Sequence, residues 1–448
     1  MKNRLATVAA LVLTTALVPA GAAFAHDDGK GGAHPPGQAK QAHEFANVVA
    51  SNANDNSSAP HSYAPCVNGM AADTYPCDDI DMLSHLPLEA LGLSFANDMW
   101  GWTDPKTGKE YALIGGVEGT VFVDISDPKR PDVVGILPTH STRGGQVWRD
   151  LKVYENHVFV VSEHTDHGLQ VFDLTQLRGV TGEPVTFEET AYYGEFGHAH
   201  NININTDSGY AYVVGTSTCN SGLHMVNIQD PTKPSFAGCY GADGYIHDTQ
   251  CVIYHGPDEA YQGREICFNS NAEPTESGYI NRVTIVDVTD KDNPEALARF
   301  AYDNAGYSHQ GWLTPDQKYF LHNDELDEVK YGHGTRTRIF NVTDLDNPKL
   351  IGIHTNDTTS IGHNVYTKGD RAFLSNYTSG LRIYDTSQVA EGKLTEIAYF
   401  DLYPENNNAT FEGGTWSNYP YYEKNMVAVS SMDRGLFVLR PRGKAAAR

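Results

Sequence analysis

The sequence predicts an all-β protein, a seven-bladed β-propeller of four-stranded antiparallel blades. Three observations carry this expectation: a recurrent strand, a recurrent polar pair ahead of it, and an orphan strand near the N-terminus. The recurrent strand appears as Gly119–Asp124, Gly168–Asp173, Gly222–Asn227, Arg282–Asp287, Arg336–Asn341, Gly380–Asp385 and Gly435–Arg440. Apolar and β-branched residues alternate in it, and turns rich in Gly, Asp, Asn and Ser flank it, which is strand chemistry. The polar pairs are Asn97-Asp98, Arg149-Asp150, His200-Asn201, His247-Asp248, His309-Gln310, His363-Asn364 and Gly413-Gly414, spaced 47 to 62 residues apart. A unit of about 50 residues cannot bury both faces of its sheet alone, so units must stack and the ring must close.

The chain opens with Lys2 and Arg4, an apolar run from Leu5 to Val18, and Ala23-Phe24-Ala25. This is the pattern of a secretory signal peptide over 1–25. No later run is long and apolar enough for a membrane span. Residues 26–62, rich in Gly, Pro, Ala, Asn, Ser and His, read as a disordered tail. The propeller is expected over 63–441. Within it, Asp81–Leu86 is the orphan strand and is expected to complete the last blade, because the chain supplies no fourth strand after Arg440. Residues 442–448 read as a short C-terminal tail.

Between these limits each blade takes the same form. The strand begun by the polar pair comes first, then a second strand, then the recurrent strand. A turn such as Ser126-Asp127-Pro128 or Asp346-Asn347-Pro348 leads into the fourth, as at Val133–Leu137, Phe236–Tyr240, Ala296–Phe300, Leu350–His354 and Leu394–Phe400. The six cysteines fall as sequence neighbours, Cys66 and Cys77, Cys219 and Cys239, Cys251 and Cys267. Export favours disulfides, and local pairing is expected among the 15 connectivities. No CxxC occurs, so a thiolate metal site has no support.

The formal net charge is −24. Such a surface repels phosphate backbones, so nucleic acid is not an expected partner. Solubility outside the cell and cation binding both suit it. Ser-nucleophile elbow, HExxH and P-loop patterns are absent.

The repeat register carries the functional signal. The first strand of a blade lines the channel, and its start shares a face with the loops between strands two and three. That places His200, His247, His309 and His363 around one mouth, with Asn97 and Arg149 at the equivalent places. Asp98, Asp150, Asn201, Asp248, Gln310 and Asn364 follow one residue later. His198 is in reach, and the loops bring Glu163, His164, His167, Asp324 and Glu325. Imidazoles suit zinc, copper, manganese or iron and serve as acid–base groups. The same polar ring would also serve to hydrogen-bond blades together and plug the channel. Trp100, Trp102, Trp148, Trp312 and Trp416 lie on or near first strands and are expected to pack between blades. Asp290–Asn293 and Asp344–Asn347 look like turns, since the full calcium-loop pattern is missing.

The strands Gly380–Asp385 and Gly168–Asp173 look like LVIVD repeats. With Asn97–Pro105, Trp148–Tyr154, His157–Glu163 and Asn376–Leu381, the chain resembles the choice-of-anchor B family of exported bacterial proteins across nearly all of 66–440. The resemblance implies an extracellular propeller, often tethered by a variable C-terminal anchor. Here the chain ends Arg440–Arg448 without an apolar segment or sorting motif, which favours free secretion. The resemblance supplies no reaction.

The functional expectation is therefore a secreted binding or scaffold protein, monomeric. Its metal site would use His200, His247, His309 and His363. Arg149, Asp98, Asp150, Asp248 and Asn364 would contact an extracellular protein, a glycan or a small-molecule ligand. The alternative is a metal-dependent extracellular enzyme, lyase-like or an oxidase, with His363, Arg149 and Glu163 as catalytic candidates.

Overall fold

The computed structural model describes residues 62–144, 147–275 and 278–446, and they form the expected ring of seven blades. The expected signal peptide and all but the last residue of the 26–62 tail lie outside the described residues. The first strands are Ala96–Thr103, Arg149–Tyr154, Asn201–Asn205, Ile246–Ile253, Ser308–Leu313, Val365–Lys368 and Thr415–Tyr419. They stand side by side around the channel. Each is followed outward by the other three strands of its blade, all antiparallel.

The recurrent glycine that opens the third strand has a steric reason. Gly380 sits at φ 81°, and a Cβ there would lie 2.1 Å from the Phe400 carbonyl oxygen. Gly435 repeats this against the Leu86 carbonyl. Only a residue without Cβ lets the third strand begin so close to the fourth.

The core lies between blades. Phe122 of the first blade stacks on Phe172 of the second at 5.0 Å, and Phe268 of the fourth on Phe320 of the fifth at 5.5 Å. Third-strand residues such as Val121, Val123, Ile285 and Val438 are fully buried in these seams. Burying apolar area at roughly 25 cal/mol per Å² on both faces of every blade is what holds the ring together.

Ring closure follows the expectation. Ile80–Leu86 pairs with Gly435–Pro441, from Ile80 opposite Pro441 to Leu86 opposite Leu436, and all seven of its residues are buried. Arg440 and Arg442 add ion pairs to the buried Asp81. The sequence did not announce a hairpin, Met70–Ala71 with Tyr75–Asp78, which extends the sixth blade to six strands through Cys77 opposite Phe400.

The second blade departs from the turn pattern. Its fourth strand is Ala191–Tyr193, reached only after an excursion in which Val185–Thr186 runs parallel to Gly135 and Ile136 of the first blade. A two-pronged ion pair from Arg178 to the buried Asp104 pins the excursion and holds that carboxyl well below its usual range. The three disulfides are Cys66–Cys77, Cys219–Cys239 and Cys251–Cys267, the local pairing expected. At the C-terminus, Gly443–Ala445 forms a 3-10 turn that buries Ala445 against the closing blade.

Candidate functional site

The polar pairs sit where the first strand of a blade is irregular. In the first, fourth, fifth and seventh blades the ladder to the second strand slips by one residue, between Ala96 and Met99, Ile246 and Asp248, Ser308 and Gln310, and Thr415 and Ser417. The extra residue of such a bulge has no ladder partner, so its side chain can be re-aimed. Those extra residues are His247, His309 and Trp416, and in the first blade the pair Asn97-Asp98 stands opposite Gly115 alone. The register thus corrects the seventh blade: its pair is Trp416-Ser417, not Gly413-Gly414. Asn364 confirms it, donating toward Ser417 Oγ, while Gly414 is held at φ 101° against the Tyr377 carbonyl.

The four histidines converge. Ring centroids are 4.3 Å apart for His200 and His247, and 4.2 Å for both His247 and His309 and His309 and His363. They surround a cavity of about 10 Å³, walled by Trp148, Tyr307, Glu325 and Trp416. None of the four is more than 7% exposed.

Hydrogen bonds set the tautomers. His247 Nδ1 lies 2.8 Å from the His309 carbonyl oxygen, and His363 Nδ1 lies 2.6 Å from that of Trp416. A carbonyl only accepts, so both imidazoles carry their proton on Nδ1 and present an Nε2 lone pair when neutral. Burial pushes His363 down to about 3 and His309 well below its ordinary value, so both are neutral near pH 7. His309 Nδ1 is buried without a hydrogen-bond partner.

Glu325 is the residue that the repeat register undervalued. It arrives on a loop, and its Oε2 and Oε1 lie 3.9 Å from Nε2 of His309 and of His363. Tyr377 donates to its Oε1 at 2.7 Å. One ligand atom each from His247, His309 and Glu325 lies within 4.8 Å of the others. Ligands of a tetrahedral ion with ~2.0–2.1 Å bonds stand roughly 3.3 Å apart, so a small contraction would close the set. His200 plays a different part. Its Nδ1 meets Glu163 Oε1 at 2.6 Å and its Nε2 meets His247 Nε2 at 2.7 Å.

The second members of the pairs form a separate layer deeper in the channel. Asp98, Asp150 and Asp248 each accept the next residue's backbone N–H at 2.6 Å. Lys152 Nζ lies 2.5 Å from Asp150, and Asn364 reaches Asp98 at 3.5 Å. One lysine serves three carboxylates, the buried Asp98 and Asp150 and the half-buried Asp248. Burial, opposed by Lys152 and aided by Asp150, holds Asp98 up to about 7, and burial aided by Asp150 also holds Asp248 well above the usual carboxylate range.

Several expected residues stand apart. Arg149 is buried and turned to the Gly116 carbonyl and to His167, at 2.9 and 3.0 Å. Burial draws it down to about 10. His164 bonds Ser162, and burial followed by the Arg149 charge holds it down to about 4. Asp324 spends both oxygens on the backbone N–H groups of Gly306, Tyr307 and Leu326 and on the Tyr302 hydroxyl. His198 does not line the cavity. A second group, Asp327, Glu328 and His333, also has ligand spacing. There Asp327 pairs with Arg338 and Glu328 accepts the Arg336 N–H, so both are already engaged in the fold. Asp290–Asn293 is a turn closed by its own Asp290 side chain.

The LVIVD repeat matches residues 109–139 and 196–241, the outer three strands of the first blade and the whole of the third. No curated protein matches the chain. Similar solved structures include the WD40 repeats of RRP9, 7% identical over 77% of this chain and 94% of that one, TM-score 0.49. Another is a functionally unknown protein from Desulfotomaculum acetoxidans DSM 771, 12% identical over 71% and 89%, TM-score 0.48.

Proposed function

We propose that this is an exported binding or scaffold propeller of the choice-of-anchor B type. In this reading it seals one mouth of its channel with a single divalent transition ion, zinc, copper, manganese or iron. His247, His309 and Glu325 bind the ion, with His363 beside them and the Glu163–His200 pair completing the wall. The observation that carries this reading is the approach of His247, His309 and Glu325, one ligand atom each within 4.8 Å of the others. His247 and His363 each also hold a backbone carbonyl of the next blade through an Nδ1–H bond. Each such bond crosses a blade seam, so the ion would lock seams that apolar packing alone must otherwise hold.

Binding is favoured over catalysis by size. A cavity of about 10 Å³ takes an ion or a water, not a saccharide. Arg149, which a lyase would need for a substrate carboxylate, faces the Gly116 carbonyl instead. Secretion is supported by three disulfides, by the N-terminal signal pattern and by the acidic composition; no described helix is long and apolar enough to cross a membrane. Elemental analysis of untagged protein is expected to show one equivalent of metal per chain, retained through gel filtration. If reconstitution with zinc, copper, manganese and iron leaves no stoichiometric metal, the reading fails.

A further inference from the structure

We infer that the opposite mouth of the channel is a binding site for a neutral saccharide. There the seven first strands end around an open cavity of about 580 Å³, the size of a small-ligand pocket. The residue three places after each pair's first member reaches it in blades one to five and seven: Trp100, Lys152, Asn203, Gln250, Trp312 and Tyr419. Trp148 and Trp416 are buried away from this mouth, whereas the buried Trp102 and the half-buried Trp100 and Trp312 line this cavity. Trp100 and Trp312 stand edge-on to the buried Tyr366, at 5.6 and 5.0 Å, which holds the two indoles in place.

The polar groups name the ligand class. Asn203 Oδ1 accepts the Cys251 N–H and Gln250 Oε1 accepts the Leu313 N–H. Those bonds fix which end of each amide is oxygen. Both NH₂ groups are left without a protein partner among the described residues, in side chains no more than 7% exposed that line the cavity. Lys152 sits 4.8 Å over the Trp100 ring with its charge answered by Asp150. The site therefore offers aromatic faces and hydrogen-bond donors with no cation to spare, and its one lining carboxylate, the exposed Asp207, can accept from a hydroxyl. A purely apolar ligand would leave the amides unpaired, and an anion would find no uncompensated cation. A pyranose supplies what is missing: an axial C–H face for an indole and neutral hydroxyl and ring oxygens for the donors.

The test uses the full mature chain on an array of neutral glucans, galactans and mannans beside sulfated and uronic-acid glycans, with the best neutral hit titrated by calorimetry. Binding to a neutral oligosaccharide is expected, weakened at least ~10-fold by Trp100→Ala and by Trp312→Ala. Thr103→Trp, at a half-buried rim position, is expected to block it with the thermal midpoint unchanged. No binding to any neutral glycan, binding only to charged ones, or binding indifferent to all three variants overturns the proposal. Metal content reports on the other mouth, so the two readings fail separately.

Discussion

The two mouths of the channel are built by the same seven strands, three residues apart along each, yet they differ in every physical respect. One is closed to about 10 Å³ and lined by imidazoles and a carboxylate; the other opens to about 580 Å³ and is lined by indoles, amides and hydroxyls. The bulges make the difference. At the histidine mouth an extra residue in four blades re-aims side chains, among them His247 and His309, whose rings stand 4.2 Å apart. At the other mouth the ladders are regular, and nothing draws the side chains inward. A propeller can thus spend one end of its channel on closure and keep the other for ligands.

The largest effect expected from breaking this asymmetry comes from His309→Ala combined with Glu325→Gln. Metal content should fall from one equivalent to none, with a lower thermal midpoint than the metal-loaded parent, as loss of a ligand bound only to the folded state requires. Saccharide binding at the far mouth should be untouched. Next, Tyr377→Phe removes the hydroxyl that orients Glu325. A ~10–100-fold loss of metal affinity is expected by competition with a chromogenic chelator; an unchanged affinity would show that Glu325 is not a ligand.

A third test separates the layers by pH in metal-free protein. His363 is held down to about 3, so its contribution to stability is complete above the unfolded value of about 6.5 and is lost as pH falls toward 3. Asp98 is held up to about 7, so the folded protein keeps a proton the unfolded chain releases above about 4. Its contribution is complete below that value and is lost as pH rises through 7. Calorimetry of Asp98→Asn should therefore show the gain over the parent at pH 8 and little at pH 4. The smallest effect is at the open mouth. Thr367→Val deletes the hydrogen bond from Oγ to the Leu313 carbonyl and should cost about 1 kcal/mol in denaturant unfolding, with metal content unchanged.

Much of the fold was legible because its causes are local. The Gly-led third strands, the Asp-Pro turns and the orphan strand each carry a short-range signal, and the closing strand was placed to within a residue, Asp81–Leu86 against the observed Ile80–Leu86. The fourth strand of the second blade was not legible, because Ala191–Tyr193 follows a long excursion without the usual turn. At the site, register alone brought His200, His247, His309 and His363 to one place. It could not give Glu325 its rank over Asp324, since two adjacent acids on a loop look alike until backbone donors claim one of them. It also placed Arg149 among ligand contacts, where the folded chain gives it a carbonyl and an imidazole instead.

What the sequence by itself determined is the ring: seven repeats, their closure, the disulfide neighbours and the mouth at which the histidines gather. These follow from strand periodicity and turn chemistry, which act over a few residues. Tertiary structure alone decided that Trp416 rather than Gly413 completes that ring of positions. It decided which imidazoles present a lone pair, and that Trp100 and Trp312 face a cavity rather than a seam. Those outcomes depend on bulges, on carbonyls of the next blade and on burial, and each joins residues roughly a blade apart in the chain.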